Sequence, residues 1–376
     1  MKKKVAIVRC AAYGTEEAYG SVKRAVDLLG GLKGFVKPGE RILLKPNLLA
    51  PKPPEAAVTT HPAVVGALIR LVKEAGATPV VGDSPGLGSA RKAAEKSGIL
   101  GACEREGAAF MEFKEVVLKE NTAGHTFKRF EVAREALDVD GIINIPKLKT
   151  HAQMLLTMGV KNVFGCVPGK LKPQWHLSAG VDSTYFGAMI LDLYLCLNPR
   201  LTVMDAVTAM EGNGPGSGTP RDLGLLFASA DAIAMDTVAA TLLGARLRDI
   251  PIHRAASLRG IKETEAKNVD IVGAMPEKVK DFRFPPIMDT NFTARLPYFI
   301  DRPLRRALTS RPHITHSSCT LCNVCVETCP AEIMERSDRI TIDYDRCIRC
   351  WCCQEMCPHG AISSKEGWMK RIIPGL

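Results

Sequence analysis

Two short stretches limit what this chain can be. "CTLCNVCVETCP" sets Cys319, Cys322, Cys325 and Cys329 ahead of Pro330, and "CIRCWCCQEMCP" sets Cys347, Cys350, Cys353 and Cys357 ahead of Pro358. Both read C-x2-C-x2-C-x3-C-P, so the segment is an internal repeat, with "HGAIS" following the second run as "AEIME" follows the first. Nine of the chain's 13 cysteines fall between residues 319 and 357. The opening "MKKKVAIVRC" carries an apolar run that Arg9 stops too early for a secretory leader; it reads as a first strand. The expectation is a cytoplasmic protein, where thiols stay reduced and cysteines in such numbers serve metal rather than disulfides.

The spacing resembles that of bacterial two-cluster ferredoxins. The resemblance implies two [4Fe-4S] clusters with crossed ligation, the fourth cysteine of each run reaching the other cluster. Cys319, Cys322, Cys325 and Cys357 would hold one; Cys347, Cys350, Cys353 and Cys329 the other. Zinc also takes C-x2-C pairs, but two repeated four-cysteine runs each closed by proline favour clusters. Cys352 is surplus to the motif and is read as a bystander. Cys10, Cys103, Cys166 and Cys196 are read as small core hydrophobes.

At 376 residues, 46% hydrophobic and 24% charged, the chain has material for two or three globular domains. It has no run of 18 apolar residues, so no membrane span is expected. The net charge is +10, yet Cys319–Cys357 holds seven acidic residues and four arginines. The excess of base therefore lies in the rest of the chain. No basic run carries interleaved aromatics, which argues against nucleic acid and leaves an acidic small molecule as the partner of that charge.

Before the cysteines, two periods alternate. "KVAIVRC", "RILLKPN", "TPVVGDS", "GIINIPK", "LTVMDAV" and "LGLLFAS" suit buried strands. "TEEAYGSVKRAVDLLGG", "THPAVVGALIRLVKEAG" and "SADAIAMDTVAATLLG" suit helices, with Thr15 and Thr60 as N-caps, Pro62 in a first turn and glycines at the ends. The expected fold is α/β, a mostly parallel sheet with helices on both faces, followed by a small α+β ferredoxin-like domain. The expected boundaries are 1–275 for the α/β domain, 276–313 for a packed basic linker and 314–376 for the cluster domain with a short tail. Phe282, Phe284, Phe292, Tyr298 and Phe299 would pack the linker, and Arg302, Arg305 and Arg306 would face the acidic cluster domain.

Polar residues gather where strands end: Lys45 and Asn47; Asp83 and Ser84; Asn144, Lys147 and Lys149; Asp205 and Glu211. In open parallel sheets ligands bind beyond the carboxyl ends of strands, so these positions outline a site. No phosphate-loop or dinucleotide fingerprint is present. "GNGPGSG" reads as a flexible loop over the site.

"KLKTHAQMLLTMGVKNVFGCVPGK", with "HPAVVGALIRLVKEAGATPVVGDSPG" upstream and "MEGNGPGSG" downstream, resembles the domain-of-unknown-function family 362 over roughly residues 4–275. The matching positions are Lys45, Asn47, Asp83, Lys147, Lys149, His151, Lys161, Asn162, Gly165, His176, Asp205, Gly212, Gly214 and Pro215. The resemblance implies an α/β domain with a catalytic-looking site joined to an iron–sulfur module, and brings no reaction with it.

The functional expectation is a reductase that takes electrons from an external low-potential donor through two [4Fe-4S] clusters to a small anionic substrate. Lys147 and Lys149 alternate on one face of an extended chain, with His151 in phase. They would bind the anion with Lys161, and His151 would donate the proton, because imidazole titrates near neutrality. Lys45, Asn47, Asp83, Ser84, Asn162, His176, Asp205 and Glu211 complete the expected substrate site. The alternatives are an electron carrier or assembly factor whose α/β domain binds a protein, and a redox sensor.

Overall fold

The computed structural model describes residues 2–86, 88–286 and 309–367. It begins with β1 (Lys3–Arg9), α1 (Thr15–Asp27), β2 (Arg41–Pro46), α2 (Pro62–Glu74), β3 (Thr78–Asp83), α3 (Ala90–Lys96), α4 (Ile99–Glu106) and β4 (Ala109–Glu112). A side hairpin of β5 (Val116–Glu120) and β6 (Arg129–Ala133) precedes β7 (Gly141–Ile145), β8 (Lys147–His151) and β9 (Leu155–Thr157). Next come α5 (Gly159–Asn162), α6 (Lys172–Ala179), α7 (Ser183–Leu197), the long hairpin β10 (Leu201–Glu211) and β11 (Thr219–Ser229), α8 (Ala232–Leu242), α9 (Pro251–Leu258) and β12 (Val269–Gly273).

One sheet runs in the order β12-β1-β11-β10-β7-β2-β3-β4, with β8 and β9 branching from β10. Its pairs are mostly parallel; the exceptions are β11, antiparallel to both β1 and β10, and the β8–β9 pair. Ile42, Leu43 and Leu44 of β2 are fully buried, as a strand covered on both faces requires. Val22 and Val26 of α1, with Leu68 and Val72 of α2, pack on one face; Met235 and Val238 of α8 pack on the other. Each such aliphatic side chain contributes about 1.5–3 kcal/mol when buried. The expected α/β architecture with helices on both faces is observed.

Local departures have plain causes. Gly14, not Thr15, precedes α1. Pro62 occupies the first turn of α2, so His61 takes the cap, its Nδ1 accepting from Ala63 N at 3.2 Å. Thr60 instead joins strand ends: its hydroxyl donates to Ile145 O at 2.6 Å and accepts from Asn47 N at 2.8 Å. Strand β10 runs on to Glu211, so Asp205 lies within a strand rather than at its end.

The cluster module contains β13 (Arg311–Ile314), α10 (Val324–Glu327), β14 (Met334–Arg336), β15 (Ile340–Ile342), α11 (Cys352–Glu355) and β16 (Ile362–Lys365). β13 pairs with β16 and β14 with β15, both antiparallel. Leu321 and Asn323 adopt positive φ in the first cysteine run, and Arg349 and Trp351 do so at the same places in the second. The repeat in sequence is thus a repeat in backbone.

The module packs against the α/β domain. Trp351, 1% exposed, packs on Ala152. Gln354 Nε2 donates to Asn213 O, Asn213 Oδ1 and Gly214 O at 3.0–3.1 Å. The "GNGPGSG" loop, expected as a flexible cover, is therefore pinned to the cluster module. Phe282 is buried against the α/β core beside Phe284. Phe292, Tyr298, Phe299, Arg302, Arg305 and Arg306 lie outside the described residues. Among the described residues no helix is long and apolar enough to cross a membrane.

Candidate functional site

The eight motif cysteines separate into two groups. One cavity is lined by Cys319, Cys322, Cys325 and Cys357, and a second by Cys329, Cys347, Cys350 and Cys353. The fourth cysteine of each run thus crosses to the other group. The remaining lining is largely apolar, including Ile314, Ile340 and Ile362 around the first and Ile333, Met334 and Ile342 around the second. Cys357 Sγ accepts from Ala361 N at 3.3 Å, the kind of amide contact that stabilises a cluster thiolate. Among the described residues no three His, Cys, Asp or Glu side chains close on a single ion-sized point. Four cysteines around each cavity, drawn from both runs, are the donor set of an iron–sulfur cube.

A third cavity, about 700 Å³ counting its open mouth, lies between the two modules. Asn47, Asp83, Ser84, Lys149, His151, Lys161, Asn162 and His176 line it from the α/β side. Thr328, Cys352, Glu355 and Met356 line it from the cluster side. Cys352 is thus a wall residue of this cavity. It belongs to neither quartet and is not the bystander the motif implied.

Backbone geometry explains why the strand ends converge. The β2, β3 and β7 ends stand side by side in register, Lys45 opposite Asn144. Asn162 ties them: its Nδ2 donates to Asn144 Oδ1 at 2.8 Å, and its Oδ1 accepts from Asn47 Nδ2 at 3.1 Å. Asp83 pairs with Lys45 at 2.8 Å, and its other oxygen accepts from Leu48 N at 2.7 Å. Gly165 must be glycine here, since a Cβ would stand 1.9 Å from Asp83 Oδ1 and 2.5 Å from Lys45 Nζ. Ser84 Oγ accepts from Gly169 N at 2.9 Å. Lys45 itself does not line the cavity; it sits behind Asp83 and holds that carboxylate.

Three cations face inward. Lys149 Nζ donates to Val58 O at 2.6 Å. Burial pushes its ammonium down to about 7, against the opposing pull of Glu355. Lys161 Nζ lies over Phe164 at 4.6 Å and Phe186 at 5.8 Å, and burial lowers it too. Lys172, which the sequence reading missed, donates to Ser84 O and is lowered by burial to about 8. The signal for it was available: "GKLKPQWH" continues the basic stretch into a helix start with Pro173 in its first turn. Glu355 and Cys352 could not be placed from sequence, because only the docking of the second module brings them here.

The imidazoles are neutral. His151 Nδ1 accepts from Gln153 N at 3.1 Å and Met154 N at 3.3 Å, so the ring proton sits on Nε2. Nε2 has no hydrogen-bond partner among the described residues and lies 3.6 Å from Glu355 Oε2. Burial, then Lys161, hold His151 well below the ordinary imidazole range. This corrects its expected role: a ring this deep, among cations, is not protonated near neutrality. His176 stacks on Phe186 at 4.2 Å, and burial, with Lys161 and Lys172, lowers it to about 3. Its Nδ1, Thr157 Oγ1 and Asn47 Oδ1 are also buried without partners among the described residues. Buried polar atoms are normally satisfied by protein or water, and these three converge on the one cavity.

Besides Lys45, three expected site residues lie off the cavity. Lys147 pairs with Asp205 at 2.9 Å and donates to Tyr13 OH at 2.8 Å, away from the cavity. Asp205 also accepts from Tyr13 OH at 2.7 Å and His61 N at 2.8 Å, closing the network. Alternation puts Lys147 and Lys149 in phase along β8, but Asp205 beside Lys147 satisfies it in the core of the sheet. Glu211 is held by Arg283, at 2.8 Å through Nε and 3.1 Å through the main-chain N–H.

The family description "Domain of unknown function (DUF362)" matches residues 42–241, and "4Fe-4S binding domain" matches residues 340–363. The Thylakoid-associated protein sll1697 of Synechocystis sp. (strain ATCC 27184 / PCC 6803 / Kazusa) is 42% identical over 267 residues, 71% of this chain and 83% of that protein. A solved structure, the lactate racemase apoprotein from Thermoanaerobacterium thermosaccharolyticum, aligns at 12% identity and a TM-score of 0.38 over 63% of this chain and 56% of that one. The chain belongs to the domain-of-unknown-function family 362, and is an iron–sulfur electron-transfer protein carrying at least one [4Fe-4S] cluster.

Proposed function

We propose that this protein is an iron–sulfur reductase acting on a small anion bound between its two modules. One observation supports this above the others: the cavity wall is shared by Lys149, Lys161 and His151 on one side and by Thr328, Cys352 and Glu355 on the other. Thr328 precedes Cys329 and Cys352 precedes Cys353 in the chain, so a ligand there touches the chain neighbours of cluster cysteines. Electron transfer weakens steeply with distance, and this arrangement keeps the gap short. Two bound [4Fe-4S] clusters, held by the two cysteine quartets, would supply electrons singly.

The chain's own residues do the rest. Lys161 and Lys172 hold the anion. The His151 Nε2–H group orients it by a hydrogen bond, and His176 closes the wall. Lys149 gives up a proton, from the ammonium that burial lowers in the free site. Reducing one double bond consumes two electrons, from two molecules of an external low-potential one-electron carrier, and two protons. Lys149 delivers one proton at the site and solvent the other at the mouth. The reading keeps the cytoplasm as the compartment.

The test is oxygen-free. The protein is reduced with dithionite, desalted and mixed with fractions of small anionic metabolites while the cluster absorbance is followed. Reoxidation by the wild type but not by Lys161→Met, at equal iron content, is the expected result. Equal behaviour of the two would end the proposal.

A further inference from the structure

We propose that the cavity is built for a compact dianion, and that Glu355 sets this charge. The inference rests on reading the cavity as an anion site. It is carried by a charge count of the cavity wall. Lys149, Lys161 and Lys172 line the cavity, and none has a carboxylate within 4.0 Å among the described residues. Their contacts are main-chain carbonyls, Val58 O and Ser84 O, and the rings of Phe164 and Phe186. These satisfy N–H groups without bringing negative charge.

Two acids line the cavity, Asp83 and Glu355. Asp83 is committed to Lys45 and to Leu48 N. Asp83 also acts on Lys149 and Lys172, but Lys45 offsets it; among the described residues that leaves Glu355 as the uncommitted carboxylate of the wall, and two of the three lysine charges without a counter-charge. An uncompensated buried ion is disfavoured by several kcal/mol. The depressed ammonium groups of Lys149, Lys161 and Lys172 express that cost while no anion is bound. The thiolate quartets do not line the cavity, so a ligand there meets the lysines and Glu355 rather than the cluster cysteines.

A dianion restores neutrality. A monoanion leaves one cation uncompensated, and a trianion brings its third charge against Glu355. Leu48, Leu49, Phe164, Pro173, Pro215 and Met356 form the rest of the wall and suit a short carbon skeleton. A dicarboxylate and a phosphate monoester share this chemistry.

The test is calorimetry on the intact, cluster-loaded protein without oxygen, near neutral pH and at constant ionic strength. The probes are butyrate, succinate, tricarballylate and methyl phosphate. Succinate or methyl phosphate binds about tenfold tighter or more than butyrate and tricarballylate, and the tighter of the two names the acid group. In Glu355→Gln, with iron content unchanged, tricarballylate gains about tenfold on succinate. In Lys172→Met the order shifts the other way, toward butyrate. If butyrate matches the dianions, or Glu355→Gln leaves the order unchanged, the charge assignment is wrong while the anion site stands. If none of the four probes binds, the anion site itself fails and the charge assignment with it.

Discussion

His151 Nε2 stands 3.6 Å from Glu355 Oε2, an imidazole of the α/β domain facing a carboxylate of the cluster module. Neither side chain has this meaning in its own domain. Glu327, which holds the place in the first cysteine run that Glu355 holds in the second, is exposed. The docking of the modules turns a surface glutamate into part of a buried site.

The first prediction concerns that imidazole. Because Nδ1 is occupied by two main-chain N–H donors, His151 stays the neutral Nε2–H tautomer from mildly acidic to mildly basic pH. Ring nitrogen shifts from isotope-labelled protein measure this directly. An imidazolium signal for His151 growing in near its ordinary titration range would contradict the assigned role.

A second follows from Lys149. Its ammonium is pushed down to about 7 in the ligand-free protein, and a bound anion raises it again. Below about 7 the cation is already present. As pH rises through that value each binding event must also take up a proton. Affinity for succinate therefore falls between roughly pH 7 and 9, approaching tenfold per unit. Lys149→Met binds more weakly at pH 7 but loses this slope. A slope unchanged in Lys149→Met would place the linked proton elsewhere.

Iron content separates the cysteines. The two quartets hold two clusters, so the wild type carries about eight iron atoms per chain. Cys352→Ser retains that number. Cys329→Ser loses the cluster shared with Cys347, Cys350 and Cys353. Equal iron in both variants, or about four atoms in the wild type, would refute the crossed quartets.

Module docking rests on Gln354, which makes three hydrogen bonds to the loop after β10. Gln354→Ala takes the donor from the buried Gly214 carbonyl, at about 1–3 kcal/mol, and from the half-buried Asn213 O and Oδ1. Proteolysis within residues 212–218 then quickens several-fold with clusters intact. Unchanged cleavage would mean that Trp351, with the Asn213–Ile362 and Lys52–Pro358 hydrogen bonds, secures the interface without Gln354.

Much of this was legible beforehand. The strand and helix periods gave the α/β sheet, because runs such as "RILLKPN" suit only a strand buried on both faces. The strand-end rule located Asn47, Asp83, Ser84 and Lys149, since parallel strands put their last residues at one edge. It misplaced Lys45, Lys147, Asp205 and Glu211. Whether a lysine faces a cavity or a carboxylate depends on the neighbouring strand, and β11 enters antiparallel through a hairpin that the alternation does not encode. The roles of Cys352 and Glu355 come from docking between modules, and no local pattern records that.

The central claim is that a small anion binds where the two modules meet. A structure of the protein purified and crystallised without oxygen, in the presence of the tightest-binding dianion, tests it most directly. The account predicts density for the anion within hydrogen-bonding distance of Lys161 Nζ and Lys149 Nζ, against the wall formed by Cys352. An anion bound elsewhere on the chain, with only side chains and water in this cavity, would contradict it.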